Sequence, residues 1–215
     1  MTRGSLSNDR LGLWSASCCA LLSLAYVLAQ LLEWWGLFGS AGGPHSSSTA
    51  YALVLLLTPS LLLGPAFVLL VASIAARAPA EHRAHAYAAL ACAAVYAALT
   101  GTIYFVQLSI VVPKLASGSG LGPYELLRFV PFTSPLYAVD ILGYAFMSVA
   151  AGLAAVALPL SRSTRGARWA LLAVAAVLPF LVGQMFWPWL IWPASTWGIS
   201  FPAAAMLLMR HFRAG

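Results

Sequence analysis

Apolar and polar positions fall in blocks along this chain, with long apolar runs separated by short polar or Gly/Pro-rich connections. The runs cover residues 11–38, 51–76, 86–112, 136–160, 169–187 and 194–209. Coiled as α-helices, segments of this kind match the hydrocarbon core of a bilayer, ~30 Å thick. No ten-residue segments of strict apolar/polar alternation occur, which argues against an outer-membrane β-barrel. The pattern predicts an all-α polytopic membrane bundle, about six transmembrane helices forming one domain over residues 1–215.

The breaks between runs carry their own information. The first run ends in Gly39-Ser40-Ala41-Gly42-Gly43-Pro44-His45-Ser46, a flexible polar turn. Thr58-Pro59 and Gly64-Pro65 sit inside the second run, where proline removes a backbone donor and kinks or breaks the helix. Residues 77–85 read as a charged, solvated turn, and Pro113-Lys114 as the break that ends the third run. The longest connection follows, at 114–135. It begins as a Gly/Ser strip, then reads as a short amphipathic surface helix over Tyr124–Phe129, a candidate lid over the bundle. Glu125 and Arg128 on it read as an i, i+3 surface pair.

Composition agrees: 62% of residues are hydrophobic and 7% charged. The basic excess forms no nucleic-acid patch, because the cations are scattered over the connections. With six spans, one side receives Arg3, Arg10, Arg77, Arg83, Arg162, Arg165, Arg168, Arg210 and Arg213, and the other only Lys114 and Arg128. Positive charge marks the cytoplasmic side, so both termini are expected there, in a bacterial cytoplasmic membrane. Cys18, Cys19 and Cys92 have no metal or redox spacing and read as packing residues. The first run is too long for a signal-peptide core and is taken as an uncleaved span.

Polar residues within the runs are few and share helix faces. Tyr26, Gln30 and Glu33 lie on one face of the first run, Thr100, Tyr104 and Gln107 on one face of the third. Tyr137, Asp140 and Tyr144 line up in the fourth, and Gln184 sits near the end of the fifth. A carboxylate at such depth costs roughly 2.5–3.5 kcal/mol on insertion scales, so it needs a partner, a proton or a wet cavity. Glu33, Gln107, Asp140 and Gln184 all fall in the outer halves of their helices, as do Trp34, Trp35, Trp187, Trp189, Trp192 and Trp197. A polar, aromatic-lined pocket near the outer leaflet satisfies them together. The competing readings are local: Asp140 as a helix cap, Glu33 as an anchor reaching the headgroups, the tryptophans as an interfacial belt, and the glutamines as interhelical hydrogen-bond partners.

Several chemistries fall away. The single lysine, Lys114, is at a helix end, unlike a retinal-binding lysine, and all four histidines lie in connections or the tail, away from any haem. Two isolated acids do not make the carboxylate cluster that holds magnesium around a diphosphate. No metal or cofactor is expected. What remains is acid–base chemistry on an apolar molecule. A carboxyl in a poorly hydrated pocket keeps its proton near neutral pH and can donate it. The faces of Trp34, Trp35, Tyr104, Tyr137, Tyr144, Trp187 and Trp197 can stabilise a cation by ~0.5–2 kcal/mol each.

Leu32-Glu33-Trp34-Trp35 and Val139-Asp140-Ile141-Leu142-Gly143-Tyr144, in a chain of this size, resemble the small membrane-bound terpene cyclases of actinobacterial prenylated-indole and cyclodipeptide pathways, the drimentine type. The chain is more distantly similar to fungal meroterpenoid cyclases, which have about seven helices. Its Ala- and Arg-rich composition fits a high-GC bacterium. Tyr104-Phe105-Val106-Gln107-Leu108 together with the Asp140 segment also resembles six-helix prokaryotic proteins of no assigned activity. The first resemblance implies a metal-independent, proton-initiated cyclisation of a farnesyl chain on a prenylated hydrophobic small molecule, lipid-like or meroterpenoid, with membrane lipids as the other partner. Asp140 and Glu33 would be the acid and its partner, in either order, with Trp34, Tyr104, Gln107, Tyr137, Tyr144, Gln184, Trp187 and Trp197 around the substrate. Two other classes stay open: a small proton-coupled transporter or lipid-ligand-binding protein, and a non-catalytic membrane subunit.

Overall fold

A computed structural model describes residues 3–213, with side chains from Asp9 onward. Arg3, counted above for topology, has its side chain outside the described residues. The described chain is all helical, with no strand. The elements are α1 (Arg3–Trp34), α2 (Ala50–Ala75), α3 (Arg83–Val106), a π-helical turn (Gln107–Val111), α4 (Val112–Ala116) and α5 (Pro135–Ala157). They continue as α6 (Arg162–Ala176), α7 (Leu178–Gly183), α8 (Ile191–Ala194) and α9 (Trp197–Arg213). Five stretches are long and apolar enough to cross a membrane: Asp9–Trp34, Ala50–Ala75, Ala80–Ala116, Pro135–Ala157 and Arg162–Gly183. The last expected span is α9, a shorter helix of 17 residues.

The long helices pack in chain order, α1 on α2, α2 on α3, α3 on α5, α5 on α6 and α6 on α9, and α9 returns to α1. The result is a closed ring. Small residues let the helices approach, as transmembrane packing requires where no hydrophobic drive operates between helices. Ala86, Ala89 and Ala93 of α3 and Ala150, Ala151, Ala154 and Ala155 of α5 are buried. Leu21, Leu28, Leu62 and Phe105 are exposed on the outside of the bundle. The α3–α5 seam is tight, and a Cβ on Gly143 would stand 2.7 Å from Thr100 Cγ2.

Several boundaries differ from those the sequence predicts. Helix α1 starts before residue 11 and stops at Trp34, because Gly36, Gly39, Gly42 and Gly43 take φ of 73°, 83°, 76° and 77° and fold the chain back. Pro59 and Pro65 do not break α2, which is continuous and held between α1 and α3. Pro113 does not end the third span. The π turn before it lets the Val112 N–H reach back to the Gln107 carbonyl, and the helix runs on to Ala116. Residues 162–168, expected as a connection, form the first turns of α6, capped reciprocally by Ser161 and Thr164. Pro179 follows the helix's bend at Val177. Tyr124–Phe129 is no amphipathic surface helix but the end of a 3-10 turn, Gly122–Leu127, leading into extended chain. Glu125 and Arg128 on it form an exposed pair at 3.3 Å.

The basic end of the ring is clasped. Arg77, expected in a solvated turn, pairs with Asp9 of α1, meets His211 Nε2 at 3.2 Å and lies 4.8 Å over the Phe212 ring of α9. One side chain thus ties three helices. The seam and the clasp leave the other end of the ring free to hold a cavity.

Gly143→Leu is expected to drive a side chain into Thr100 and cost about 1–3 kcal/mol, lowering the thermal midpoint in detergent. Gly101→Ala, where a Cβ meets nothing within 4 Å, is the control and leaves the midpoint unchanged or higher.

Candidate functional site

A cavity of about 390 Å³ opens at the end of the ring away from the Arg77 clasp, inside the range of small-molecule sites. One wall is apolar, formed by Leu53, Leu56 and Leu57 of α2 with Ile141 of α5. The other walls are aromatic: Tyr26 and Trp34 of α1, Tyr104 of α3, Tyr137 and Tyr144 of α5 and Trp197 of α9. Glu33, Asp140 and the amides of Gln30 and Gln184 add polar atoms to the tyrosine hydroxyls and to Ser46, Ser48 and Ser195. Among the lining residues there is no Lys, Arg or His.

The helix ends explain why the acids face inward. Ser134 caps α5, its hydroxyl accepting the Tyr137 N–H at 3.1 Å. Asp140, further in, therefore has no capping role. It is 6% exposed, and its Oδ1 has no hydrogen-bond partner. The headgroup-anchor reading of Glu33 fails in the same way. The α1 helix unwinds just beyond Trp34 and folds back, leaving Glu33 2% exposed with both carboxyl oxygens unpartnered. The two acids share the cavity without bonding to each other.

The tyrosines are paired off around them. Tyr26 donates to Gln30 Oε1 at 3.1 Å, Tyr137 to Gln184 Oε1 at 3.0 Å, and Tyr104 to the Tyr144 hydroxyl at 3.4 Å. Gln184 Nε2 is spent on the Leu181 carbonyl at 3.1 Å. Asp140 lies within electrostatic reach of Tyr26, Tyr104, Tyr137 and Tyr144. Trp197 meets Tyr26 edge-on at 6.0 Å and Tyr144 at 5.4 Å, which fixes its plane, yet its Nε1 has no acceptor.

Of the ten residues the sequence singles out, eight line this cavity: Glu33, Trp34, Tyr104, Tyr137, Asp140, Tyr144, Gln184 and Trp197. Gln107 and Trp187 do not. Trp187 is 60% exposed, beside Trp189 and Trp192, because the turn after α7 carries these rings outward as an interfacial belt. Trp35 is exposed as well. The tryptophans thus divide between belt and wall.

Gln107 is fully buried in the π turn and does something different. Its Nε2 donates to the Leu127 carbonyl at 2.5 Å and its Oε1 accepts the Phe129 N–H at 3.2 Å. A single amide thereby pins the 114–135 connection where Phe129 and Pro131 pass over the cavity. Phe132 follows at φ 63°, a left-handed conformation costly for a bulky residue, with its ring 5.3 Å from Tyr137 and 4.9 Å from His45. His45 belongs to the opposite connection. Gly43, Pro44, Ser46 and Ser48 of that connection complete the rim, and the sequence gives no warning of them beyond the glycines that turn the chain back.

Within the described residues, no three His, Cys, Asp or Glu come together as a metal site would need. No protein-family model, curated protein or solved structure matches the chain.

Gln107→Leu is expected to leave the Phe129 N–H and Leu127 carbonyl unpaired and weaken the strap by about 1–3 kcal/mol. Amide hydrogen exchange over residues 127–134 should rise roughly tenfold or more, with exchange in α5 and α6 unchanged.

Proposed function

We infer that this is a membrane-embedded enzyme that cyclises a farnesyl-type chain on a hydrophobic small molecule, started by a proton and needing no metal. One observation carries the reading: two buried carboxyls, with no protein partner for the atoms they show, face an aromatic-walled cavity. A carboxyl of this kind protonates a terminal alkene or epoxide of the chain. The positive charge migrates as ring bonds form, held against the faces of Tyr104, Tyr144 and Trp197. A proton then returns to a carboxylate, so the product of an alkene substrate is an isomer of what entered. Asp140, ringed by tyrosines, and Glu33, near the rim, divide these roles, one as acid and the other as acceptor or orienter. The apolar wall and the pinned connection over the cavity limit water, which would otherwise quench a carbocation.

The bilayer is the natural source of such a substrate. Nine basic residues on one side against two on the other support a reading with both termini in the cytoplasm of a bacterial cell and the cavity toward the outer leaflet. The apolar side formed by α2 and the amides of Gln30 and Gln184 match a molecule with an isoprenoid tail and a polar or aromatic head.

Membranes carrying the protein, incubated with a farnesyl-bearing indole in deuterated buffer with a chelator, should yield a cyclised isomer with one deuterium. Asp140→Asn and Glu33→Gln should each lower the rate about 10²–10⁴-fold at unchanged expression. Full activity in both variants would end the reading.

A further inference from the structure

The chain carries eleven Lys and Arg against five Asp and Glu, a net charge of +6, yet its cavity holds the opposite balance. Two acids line it and no basic side chain does. Three carboxyl oxygens, both of Glu33 and Oδ1 of Asp140, are buried without a donor. Two of the tyrosine hydroxyls that could have served as donors are turned to Gln30 and Gln184, and Tyr104, which reaches both Tyr144 and Asp140, leaves Asp140 Oδ1 unmet. Burying an ionised carboxyl unpaired is among the most expensive placements in a protein. A proton on each acid or a bound positive charge would complete the site, and the aromatic faces around the acids suit a cation that is bulky and weakly hydrated. A metal ion fits poorly, since among the described residues no third His, Cys, Asp or Glu joins the two acids.

We propose that this cavity is a binding site for a lipophilic organic cation, a tertiary or quaternary ammonium group on an apolar chain. The ammonium head sits between Glu33 and Asp140 against Tyr144 and Trp197, and the chain lies along Leu53, Leu56 and Leu57. Aromatic faces with nearby carboxylates are the usual recognition chemistry for quaternary ammonium. The site is reached from the membrane. Leu31 of α1 and Ile199 of α9 both line the cavity and are both exposed on the lipid-facing surface, so its rim is apolar on that side. This assignment goes beyond cyclisation, since it concerns binding at equilibrium and stands whether or not the protein turns over a farnesyl substrate.

The test is equilibrium binding of dodecyltrimethylammonium and of its uncharged tert-butyl isostere to the protein in phosphatidylglycerol nanodiscs, with empty nanodiscs subtracted. The cation is expected to bind the wild type at least tenfold more tightly than the isostere. That preference should fall several-fold in Glu33→Gln and in Asp140→Asn and vanish in the double variant, while the isostere's affinity stays unchanged. Displacement of the probe by added phosphatidylcholine would identify a choline headgroup as the source of the cation, and no displacement a free lipophilic amine. Equal affinity for cation and isostere in the wild type, a comparison that needs no variant to fold, would overturn the proposal. So would a cation preference that survives in the double variant. Loss of cyclised product with binding intact would count against the enzyme and leave this site standing.

Discussion

A polar group removed from water must find a partner, and inside a membrane the protein itself is nearly the whole supply. Most of this chain obeys that rule locally. Hydroxyls of Ser60, Ser73 and Thr100 bond back to carbonyls of their own helices, and the amides of Gln107 and Gln184 are each used at both ends. Glu33 and Asp140 are the exceptions that matter, because they hold the strongest polar groups in the cavity, and both oxygens of Glu33 and Oδ1 of Asp140 have no donor. Natural structures rarely leave such groups unpaired without a function for them. An arrangement this costly persists where a ligand or a proton completes it.

The rest of the fold can be understood as the means of keeping those two groups in place. The alanine-rich seam between α3 and α5 and the Arg77 clasp hold the basic end of the ring shut, so that volume remains at the opposite end. Ser134 caps α5 and thereby frees Asp140 from capping. The glycine turn after Trp34 folds the chain over Glu33 instead of letting it reach the headgroups. The π turn carries Gln107 to a position where one amide fastens the roof. Each device is local, and together they determine which polar atoms stay unmet.

How much of this could be read from the residues varies with the kind of signal. Helical periodicity placed Tyr26, Gln30 and Glu33 on one face, and Tyr137, Asp140 and Tyr144 on another, and both faces border the cavity. Runs of apolar residues located the long helices, but their ends shifted wherever proline or glycine acted with its neighbours. Pro113 looked like a stop because a lone proline usually is one. The π turn that accommodates it has no sequence signature. Gln107 looked like a wall residue because depth and spacing do not reveal whether an amide faces a cavity or a backbone. Trp187 and Trp197 are alike in sequence, and only the turn between α7 and α9 sends one to the surface and the other to the interior. The rim at Gly43–Ser48 depends on a long-range meeting of His45 with Phe132, which nothing local encodes.

The account as a whole stands on Glu33 and Asp140 facing one enclosed, ligand-accepting space. Labelling with a hydrophobic carbodiimide, mapped by mass spectrometry with and without a farnesyl ligand, tests this most directly, since the reagent partitions into membranes and attacks buried carboxyls. Modification of both residues, suppressed at both by the same ligand, is the result predicted here. Labelling of either one by a water-soluble carbodiimide, or protection of one without the other, would contradict it.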